Sequence, residues 1–334
     1  MTIFIVFSLT VNVFLIVIFR NLSNFINIFD KPDKNRKLHK KKTASIGGVI
    51  FFINLILFML FVLFNNEFLN DYKVKFLNGN KQFFSFFVLS FLIFLIGIID
   101  DKVNLSALKK SALFIFLLIF SSIDKNITIK FLNFDFLTYK ILTGHLGIFL
   151  SIVSIFYFMN ALNMFDGIDV QTPLYLFLLF LFLIFKSEYI VIFLIIPSIF
   201  FLMLNIKGQC FLGNSGSYFL GYIISVIFIK INQSNPNVLT SEEVLIILSL
   251  PCFELFRLFT ERIMRNQNPF TGDRTHIHHL LSKKFSDITT SLITNSFIFI
   301  PLAISQFVET KIIIFILQLI IYYLLIYKFK NIKV

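Results

Sequence analysis

Long apolar runs recur from one end of this chain to the other, and they limit the folds that it can adopt. A membrane-spanning helix needs about 20 mostly apolar residues, and several runs approach that length. Of all residues, 57% are hydrophobic and 14% are charged, whereas a soluble domain has about 25% charged residues. We therefore predict an all-α fold, a polytopic transmembrane helical bundle of about eleven transmembrane helices, forming one integral membrane domain over residues 1–334. The eleven runs are Met1–Phe19, Gly47–Phe64, Phe83–Ile99, Ser111–Ile123, Gly147–Met164, Pro173–Phe185, Tyr189–Ile206, Gly216–Ile231, Val244–Ile263, Ile288–Phe307 and Ile312–Tyr327.

The basic residues fall unevenly on the two sides of such a bundle. When the segments between runs are assigned alternately to two sides, one side collects 21 of the 30 Lys and Arg residues. An excess of Lys and Arg marks the cytoplasmic side, so we predict that the N-terminus is outside and the C-terminus inside. This topology explains the net charge of +12 without a nucleic-acid partner. In the external segment 124–146, alternating apolar and polar residues predict a short hairpin.

Five polar stretches all fall on the predicted cytoplasmic side. Their convergence on one face of an apolar bundle predicts a cytoplasmic active-site cleft at the inner membrane surface. A transporter would instead place its polar groups near the bilayer midplane. The five stretches are Asp30–Gly48, Asp100–Lys110, Asn160–Gln171, Asn205–Ser217 and Asn266–Lys284.

Two adjacent acids, Asp100 and Asp101, directly follow the apolar run Phe83–Ile99. Acids at a helix C-terminus oppose the helix dipole, so they need a compensating cation, either Lys102 or a metal ion. Because neighbouring residues on a helix face different ways, we expect one of the two to face a metal ion or substrate phosphates. A solvated helix end is the alternative interpretation.

The stretch from Asn160 to Asp169 is a second acidic site. Asn163, Asp166 and Asp169 are spaced by three, so a helical turn would line them on one face. Gly167 would permit a turn or a close approach to a ligand. A capping Asp followed by a C-terminal Gly is the alternative, but it accounts for only one of the acids.

The loop Phe211–Ser217 is rich in Gly and Ser and enters another apolar run. Its backbone N–H groups could hold a phosphate at a helix N-terminus. N-capping by Ser215 or Ser217 explains the pattern about as well. This loop alone therefore does not identify a site.

Three of the five histidines lie in the stretch 273–279, where His276 and His279 could share a helix face. A zinc site is the obvious alternative, but no Cys or Glu lies at ligand spacing. With Arg274 in the same stretch, anion recognition is favoured over a metal site. The basic stretch Arg36–Lys42 is a topology signal attracted to anionic headgroups, and it is equally compatible with binding a lipid phosphate.

Together and in this order, these clusters resemble the polyprenyl-phosphate N-acetylhexosamine-1-phosphate transferases over roughly residues 30–285. The interrupted pattern His276-Ile277-His278-His279 fits the undecaprenyl-phosphate GlcNAc-1-phosphate transferase branch better than the phospho-N-acetylmuramoyl-pentapeptide transferase branch. The resemblance implies a bundle in the bacterial inner membrane that uses Mg²⁺, or Mn²⁺, and a UDP-sugar donor. It would transfer a sugar-1-phosphate to undecaprenyl or another polyprenyl phosphate and release UMP. That reaction would start synthesis of a cell-envelope polysaccharide such as the O-antigen of lipopolysaccharide.

The resemblance also implies roles for individual residues. Phe211 would stack on uracil, a use suited to an aromatic face. The implied catalytic residues are Asp100, Asp101, Asp166 and Asp169, and the last two would line the donor site. The implied metal ligands are Asn163 and Asn214. The predicted substrate-binding residues are Lys37, Lys102, Lys110, Phe211, Arg274, His276, His278 and His279.

Two positions depart from the family pattern. Asn214 stands where the family usually has a metal-binding Asp, which removes one negative charge but keeps an oxygen that can bind Mg²⁺. Val170-Gln171 replaces the usual Gly-Leu and would alter the sugar or uridine pocket. Two alternative functions stay open: a catalytically impaired relative that binds polyprenyl phosphate, and a lipid or sugar transporter. The sequence does not decide which sugar or glycan is involved, nor whether the protein is a homodimer.

Overall fold

The computed structural model describes residues 2–30, 42–64, 80–122, 127–186, 191–269 and 275–330. This described part is predominantly α-helical, and its four short strands form two antiparallel pairs. The strands are β1 (Phe29–Asp30), β2 (Thr43–Ala44), β3 (Phe131–Leu132) and β4 (Ile141–Leu142). The helices are α1 (Thr2–Ile26), α2 (Gly47–Phe64), α3 (Asn80–Val103), α4 (Ala107–Ser122), α5 (Leu146–Phe165), α6 (Gln171–Phe185), α7 (Ile192–Ile206), α8 (Gly213–Ser234), α9 (Ser241–Met264), α10 (Ile277–Ser282), α11 (Asp287–Ser305) and α12 (Lys311–Lys330).

Each predicted apolar run coincides with one of these helices. Within the described residues, seven helices are long and apolar enough to cross a membrane, namely α1, α2, α3, α5, α8, α11 and α12. Two further apolar helices, α6 and α7, have 15 residues each and fall short of the roughly 20 that a perpendicular span needs. The chain is therefore a multi-pass membrane protein. The count of eleven spans and the orientation in the membrane stay predictions.

The chain divides into two compact units. The first comprises Met1–Asp124 and Pro173–Ile223, and the second comprises Lys125–Thr172 and Ile224–Val334. Helix α8 contributes residues to both units. In the first unit α2 packs against α1, α3 and α7, and α3 packs against α4. The organisation as one integral membrane domain stays a prediction.

A buried polar contact joins α1 to α2 in the first unit. Asn12 and Asn54 are both fully buried, and each Nδ2 donates to the other's Oδ1, at 2.8 and 3.1 Å. The Ser8 hydroxyl also donates to Oδ1 of Asn54 at 2.8 Å. Such hydrogen bonds stabilise helix pairs in a membrane, because lipid offers the amides no other partner.

Helix α9 packs against α5, α11 and α12 in the second unit. Its start is fixed by a capping box, in which Thr240 Oγ1 accepts the N–H of Glu243 and the Glu243 carboxylate accepts the N–H of Thr240. The hairpin predicted within segment 124–146 is confirmed, since β3 pairs with β4 in antiparallel register. Its external location stays a prediction.

Candidate active site

The predicted site residues that the structure describes fall into one group in each unit. The aspartate cluster, in the first unit, consists of Asp100, Asp101, Lys110, Phe211 and Asn214. The acid–histidine cluster, in the second unit, consists of Asn163, Asp166, Asp169, His276, His278 and His279. Lys102 is exposed near the end of α3, whereas Lys37 and Arg274 lie outside the described residues.

Asp100 is paired with a lysine ten residues further along the chain. It is 2% exposed, its Oδ2 lies 3.0 Å from Nζ of Lys110, and its Oδ1 accepts the N–H of Leu105 at 2.9 Å. We expected Lys102 or a metal ion to compensate this acid, but Lys110 does so. The reason is the turn at Asn104, whose φ of 53° returns the chain and places the first turn of α4 beside the end of α3.

Lys110 keeps part of its side chain accessible, with 21% exposed. Its Nζ lies 5.5 Å from the ring centroid of Tyr218, within cation–π range. Burial lowers the pKa of Lys110, but Tyr218 and Asp100 outweigh that effect, so the net pKa is raised above its ordinary value. A partly accessible ammonium that keeps its charge is suited to contact a substrate phosphate.

Asp101 caps helix α8 from the end of α3. Its Oδ1 accepts the N–H of Asn214 at 2.8 Å, and its Oδ2 accepts the N–H of Ser215 at 2.9 Å. Because α8 begins at Gly213, these are two of the N–H groups that have no partner within the helix. The positive end of the helix dipole also stabilises the carboxylate. We expected a phosphate or a serine cap at this position, and the protein's own carboxylate takes both N–H groups instead.

Two glycine residues, which have no side chain, allow three helices to meet at this cap. A Cβ on Gly97 of α3 would lie 2.4 Å from Cα of Ser215, and a Cβ on Gly48 of α2 would lie 2.5 Å from the backbone N of Gly216. Non-bonded carbon and nitrogen atoms do not approach a Cβ so closely, so glycine is required at both positions. Small residues at such contacts are typical of membrane helix interfaces. Here they bring the carboxylate of Asp101 within reach of α8.

Phe211 is held by its backbone in the connection that leads into α8. Its N–H donates to the carbonyl of Ala44 at 2.8 Å, and its carbonyl accepts the N–H of Gly47 at 2.9 Å. The residue as a whole is half-buried. A ring that is fixed at its backbone and partly accessible is suited to stacking on a planar base.

The acid-bearing turn follows α5. Asn163 lies in the last turn of this helix, and Asp166 is its C-cap, with φ −78° and ψ 64°. The prediction that one helical turn lines Asn163, Asp166 and Asp169 is therefore wrong for Asp169, because the conformation of Asp166 takes the chain out of the helix. All three residues are half-buried. The turn thus carries two carboxylates and one amide oxygen within seven residues.

Val170 adopts a backbone conformation that is rare for a β-branched residue, with φ 69°. The left-handed region costs an L residue about 1–2 kcal/mol. Both of its neighbours are held by α11, since the Ser291 hydroxyl donates to the carbonyl of Asp169 at 2.7 Å and Asn295 Nδ2 donates to the carbonyl of Gln171 at 3.1 Å. The glycine that the family usually has here would adopt this conformation without strain. The two bonds from α11 explain how the turn keeps its shape with valine.

Substitutions at Val170 test this strain. Within a helix or strand, a protein with alanine is normally more stable than one with glycine by about 0.5–1 kcal/mol. At a left-handed position the order reverses, so we expect Val170→Gly to be more stable than Val170→Ala by about 1 kcal/mol. Both variants lose the buried isopropyl group, so that loss largely cancels in the comparison. Thermal unfolding in detergent measures the difference, and a more stable alanine variant would contradict the strained turn.

The imidazole of His278 packs directly against Gly167. A Cβ on Gly167 would lie 2.1 Å from Nε2 of His278. His278 is 1% exposed, and its pKa is lowered well below the ordinary value by burial and by the neighbouring His276 and His279. The imidazole is therefore neutral at pH 7. We expected Gly167 to serve a turn or a ligand, and it provides room for this histidine.

A pair of substitutions tests that contact. Gly167→Ala should displace the His278 ring and destabilise the protein by roughly 1–3 kcal/mol, the usual range for overpacking. Because His278→Ala removes the obstructing ring, the double variant should be more stable than the sum of the two single effects by about 1 kcal/mol or more. Thermal unfolding of the four proteins measures this coupling, and strictly additive losses would show that the two residues do not touch.

The other two histidines flank the start of α10. The ring centroids of His276 and His279 lie 6.0 Å apart at an interplanar angle of 78°. The two rings are therefore neighbours, but they do not share a helix face, because His276 is the N-cap of α10 in an extended conformation. His276 and His278 are buried, whereas His279 is half-buried. His279 is therefore the most accessible of the three to a ligand.

Two charged residues of α9 belong to this cluster although they were not predicted. Glu254 and Arg257 are each 2% exposed and contact the backbone of Thr275 and Ile277, on either side of His276. The sequence carried a signal, because ionisable residues within an apolar run such as Val244–Ile263 are rare and usually have a role.

The oxygen ligands needed for a magnesium site are only partly assembled. Within the described ranges, no group of three or more His, Cys, Asp or Glu is placed to hold a metal ion. Asp100 and Asp101 both accept hydrogen bonds from protein donors. Mg²⁺ commonly binds one or two protein carboxylates together with water and substrate phosphates. Asn163 and Asp166 carry oxygens of the type that Mg²⁺ binds, and a magnesium site at this turn stays a prediction.

The fold and these clusters define a multi-pass membrane protein whose polar, chemistry-bearing residues lie at the ends of apolar helices. Residues 83–232 match the family described as glycosyl transferase family 4. That range contains both acidic sites and the Gly/Ser loop, whereas the histidines lie beyond it. This match confirms the resemblance noted from the sequence.

Curated relatives agree with that resemblance. The undecaprenyl-phosphate alpha-N-acetylglucosaminyl 1-phosphate transferase of Thermotoga maritima is 27% identical over 270 residues, covering 80% of this chain and 77% of the relative. A probable undecaprenyl-phosphate N-acetylglucosaminyl 1-phosphate transferase of Bacillus subtilis is 27% identical over 289 residues, covering 83% and 76%. The Salmonella typhi transferase of the same kind is 22% identical over 280 residues, covering 79% and 71%.

Proposed function

We propose that this protein transfers an N-acetylhexosamine 1-phosphate from a UDP-sugar to undecaprenyl phosphate, or another polyprenyl phosphate, and releases UMP. The observation that carries this proposal is the acid-bearing turn Asn163–Asp169, which packs against the histidine segment through Gly167 and His278. The named activity of the relatives supports the reaction type. The product would start a cell-envelope polysaccharide.

The chemistry needs cations more than it needs a base. A phosphate oxygen of the acceptor attacks the β-phosphorus of the donor, the bond from that phosphorus to the bridging oxygen breaks, and UMP leaves with the electron pair. A phosphate monoester has its second pKa near about 6, so the acceptor is largely ionised at pH 7. The main barrier is repulsion between two anions, which positive groups reduce.

The structure suggests how the chain's own residues share this work. Lys110 can contact a phosphate while Asp100 fixes its position, and Asp101 holds the start of α8 instead of removing a proton. His279 is the accessible histidine for a donor phosphate. Phe211 stays our candidate for stacking on uracil. The remaining proposed phosphate contacts are Lys37, Lys102, Arg274, His276 and His278.

A divalent ion is part of the proposal. Mg²⁺, or Mn²⁺, when bound supplies charge neutralisation at the donor diphosphate. Asn163 and Asn214 stay our candidate ligands, and the Asp166 and Asp169 carboxylates are the acids of the donor site. We place the reaction on the cytoplasmic side of the bacterial inner membrane, a proposal supported by the excess of Lys and Arg predicted on that side.

A reconstituted assay tests the proposal. Purified protein with Mg²⁺ or Mn²⁺, undecaprenyl phosphate and a panel of UDP-sugars should release UMP and form a labelled lipid with at least one donor. Substrate movement across proteoliposomes without nucleotide turnover would instead indicate a transporter. Lipid binding without UMP under every donor and metal condition would indicate the impaired relative, the alternative that Asn214 favours.

Asn214→Asp distinguishes a weakened metal ligand from a purely structural amide. The Asn214 N–H already donates to Asp101, so a carboxylate at this position adds a second negative charge close by. Without divalent ions we expect a loss of roughly 1 kcal/mol from this repulsion at moderate effective dielectric. Mg²⁺ should restore the lost stability, and less Mg²⁺ should be needed for half-maximal UMP release.

Asn214→Ala is the matched control, because it removes the amide without adding charge. It should weaken the Mg²⁺ dependence and leave the stability without metal nearly unchanged. If Asn214→Asp has an unchanged Mg²⁺ requirement and an unchanged melting temperature, Asn214 is not a metal ligand.

A further inference from the structure

A buried ion pair on α9 holds the histidine segment from both sides. Nη2 of Arg257 lies 3.1 and 3.2 Å from the two carboxylate oxygens of Glu254. The same Nη2 donates to the carbonyl of Thr275 at 2.8 Å, and Oε2 of Glu254 accepts the N–H of Ile277 at 3.0 Å. Both peptide groups that flank His276 are therefore hydrogen-bonded to this pair.

Further contacts fix the pair in place. Nε of Arg257 donates to the Tyr322 hydroxyl at 2.7 Å, and that hydroxyl donates to Oε1 of Glu254. Nη1 of Arg257 donates to Glu261 at 3.0 Å. A buried network whose members are mutually hydrogen-bonded is rigid and stabilises a single arrangement. The backbone around His276 is therefore attached to a fixed point on α9.

The imidazole of His276 faces the same carboxylate. Its Nδ1 lies 3.5 Å from Oε2 of Glu254, at the outer limit of hydrogen-bond distance. A carboxylate beside one ring nitrogen orients the imidazole. Glu254 thus touches both the ring of His276 and the peptide group that follows it.

We propose that Glu254 and Arg257 are positioning residues for the transfer reaction. They fix the backbone and ring of His276, so that the histidine segment is already arranged when the donor phosphates bind. This inference rests on the proposed function. Removing one partner would leave an uncompensated buried charge and release the segment from its anchor. Neither residue needs to touch a substrate.

The first test is a double-mutant cycle between Glu254→Gln and His276→Ala. Glu254→Gln should lower kcat/KM for the UDP-sugar by about 10- to 100-fold, the scale expected when a reacting group is misplaced. In the His276→Ala background it should lower kcat/KM by less than about threefold, because residues that act through one another are not additive. Glu242→Gln is the matched control, since it neutralises another buried carboxylate of α9 that contacts Asp135 and not this network, and it should leave activity unchanged.

Two outcomes of the cycle would overturn the proposal. Equal losses in both backgrounds would show that Glu254 supports the fold without acting through His276. Unchanged kcat/KM in Glu254→Gln would show that the anchor is not needed. If Glu254→Gln fails to fold, Arg257→Lys serves in its place, because a lysine keeps the charge but cannot reproduce the forked contact.

Hydrogen exchange tests the anchor without any activity. Amides in the peptide covering residues 275–282 should exchange about tenfold faster in Glu254→Gln than in the parent, because local opening controls exchange, and Glu242→Gln should match the parent. Equal exchange in all three proteins would overturn the proposal. If the parent protein turns over no donor but the variants show this exchange pattern, the proposed function is refuted, while the anchoring of the histidine segment by Glu254 is still supported.

Discussion

We expect Asp101→Asn to abolish UMP release and to lower the free energy of unfolding by about 2–4 kcal/mol, since hydrogen bonds to charged groups each contribute about 1.5–3 kcal/mol. The carboxylate accepts two N–H groups of α8, whereas an amide has one oxygen and would turn its NH₂ toward the second N–H. The favourable interaction with the helix dipole is also lost.

Thermal unfolding with a thiol-reactive dye measures this loss. The chain has no Trp to report unfolding, but Cys210 is a buried free thiol and Cys252 a partly buried one. Lys109→Gln is the control, because it changes an exposed residue of the neighbouring helix α4 that has no proposed role. Parent-like stability in Asp101→Asn would contradict the capping role, and full activity would contradict its place in the reaction.

Asp166→Asn should have the opposite balance of effects. We expect UMP release to fall by about 100- to 1000-fold, the usual loss when one electrostatic contact to reacting phosphates is removed. Stability should change less than in Asp101→Asn. The reason is that Asp166 is the C-cap of α5, where a negative charge opposes the helix dipole, so neutralising the carboxylate removes an unfavourable interaction with the dipole.

Initial rates of UMP release, together with thermal unfolding of the same preparation, check this prediction. Asp135→Asn is the matched control in the same unit, because Asp135 forms an ion pair of 2.9 Å with Lys311 and is no part of either cluster. It should lose a little stability and keep its activity. An Asp166→Asn variant with full activity would remove Asp166 from the proposed site.

The helices were predictable, but the contacts that build the site were not. Apolar runs near the length of a span predict helices on their own, because such segments must satisfy their backbone hydrogen bonds internally. The partner of Asp100 was missed because Lys110 reaches it only through the turn at Asn104. That turn depends on a positive φ at a non-glycine residue, which no periodicity indicates.

The two caps show why local patterns were insufficient. A helix cap is normally read from the residues just before the helix. Here Asp101 caps α8 from 113 residues earlier in the chain, and Glu254 caps α10 from 23 residues earlier. In both units a carboxylate on one helix thus fixes the start of another. Such tertiary caps depend on packing, and the close packing at the start of α8 depends on Gly48 and Gly97.

The sequence indicated that the turn at Val170-Gln171 is unusual, but not that its backbone is strained. Val170-Gln171 was noticed as a departure from the family, and we interpreted it as a change in the sugar or uridine pocket. The structure shows a backbone consequence instead, since Val170 lies at φ 69° between two bonds from α11. Whether the pocket changes as well stays a prediction.

One measurement tests the transfer reaction most directly. The protein is incubated in detergent with Mg²⁺, undecaprenyl phosphate and UDP-N-acetylglucosamine carrying ³²P at the β-phosphate, or the donor that is active in the panel. The proposal predicts that the label enters the organic phase with the lipid while an equal amount of unlabelled UMP appears in water. Labelled UDP, or sugar on the lipid without the label, would contradict phosphosugar transfer.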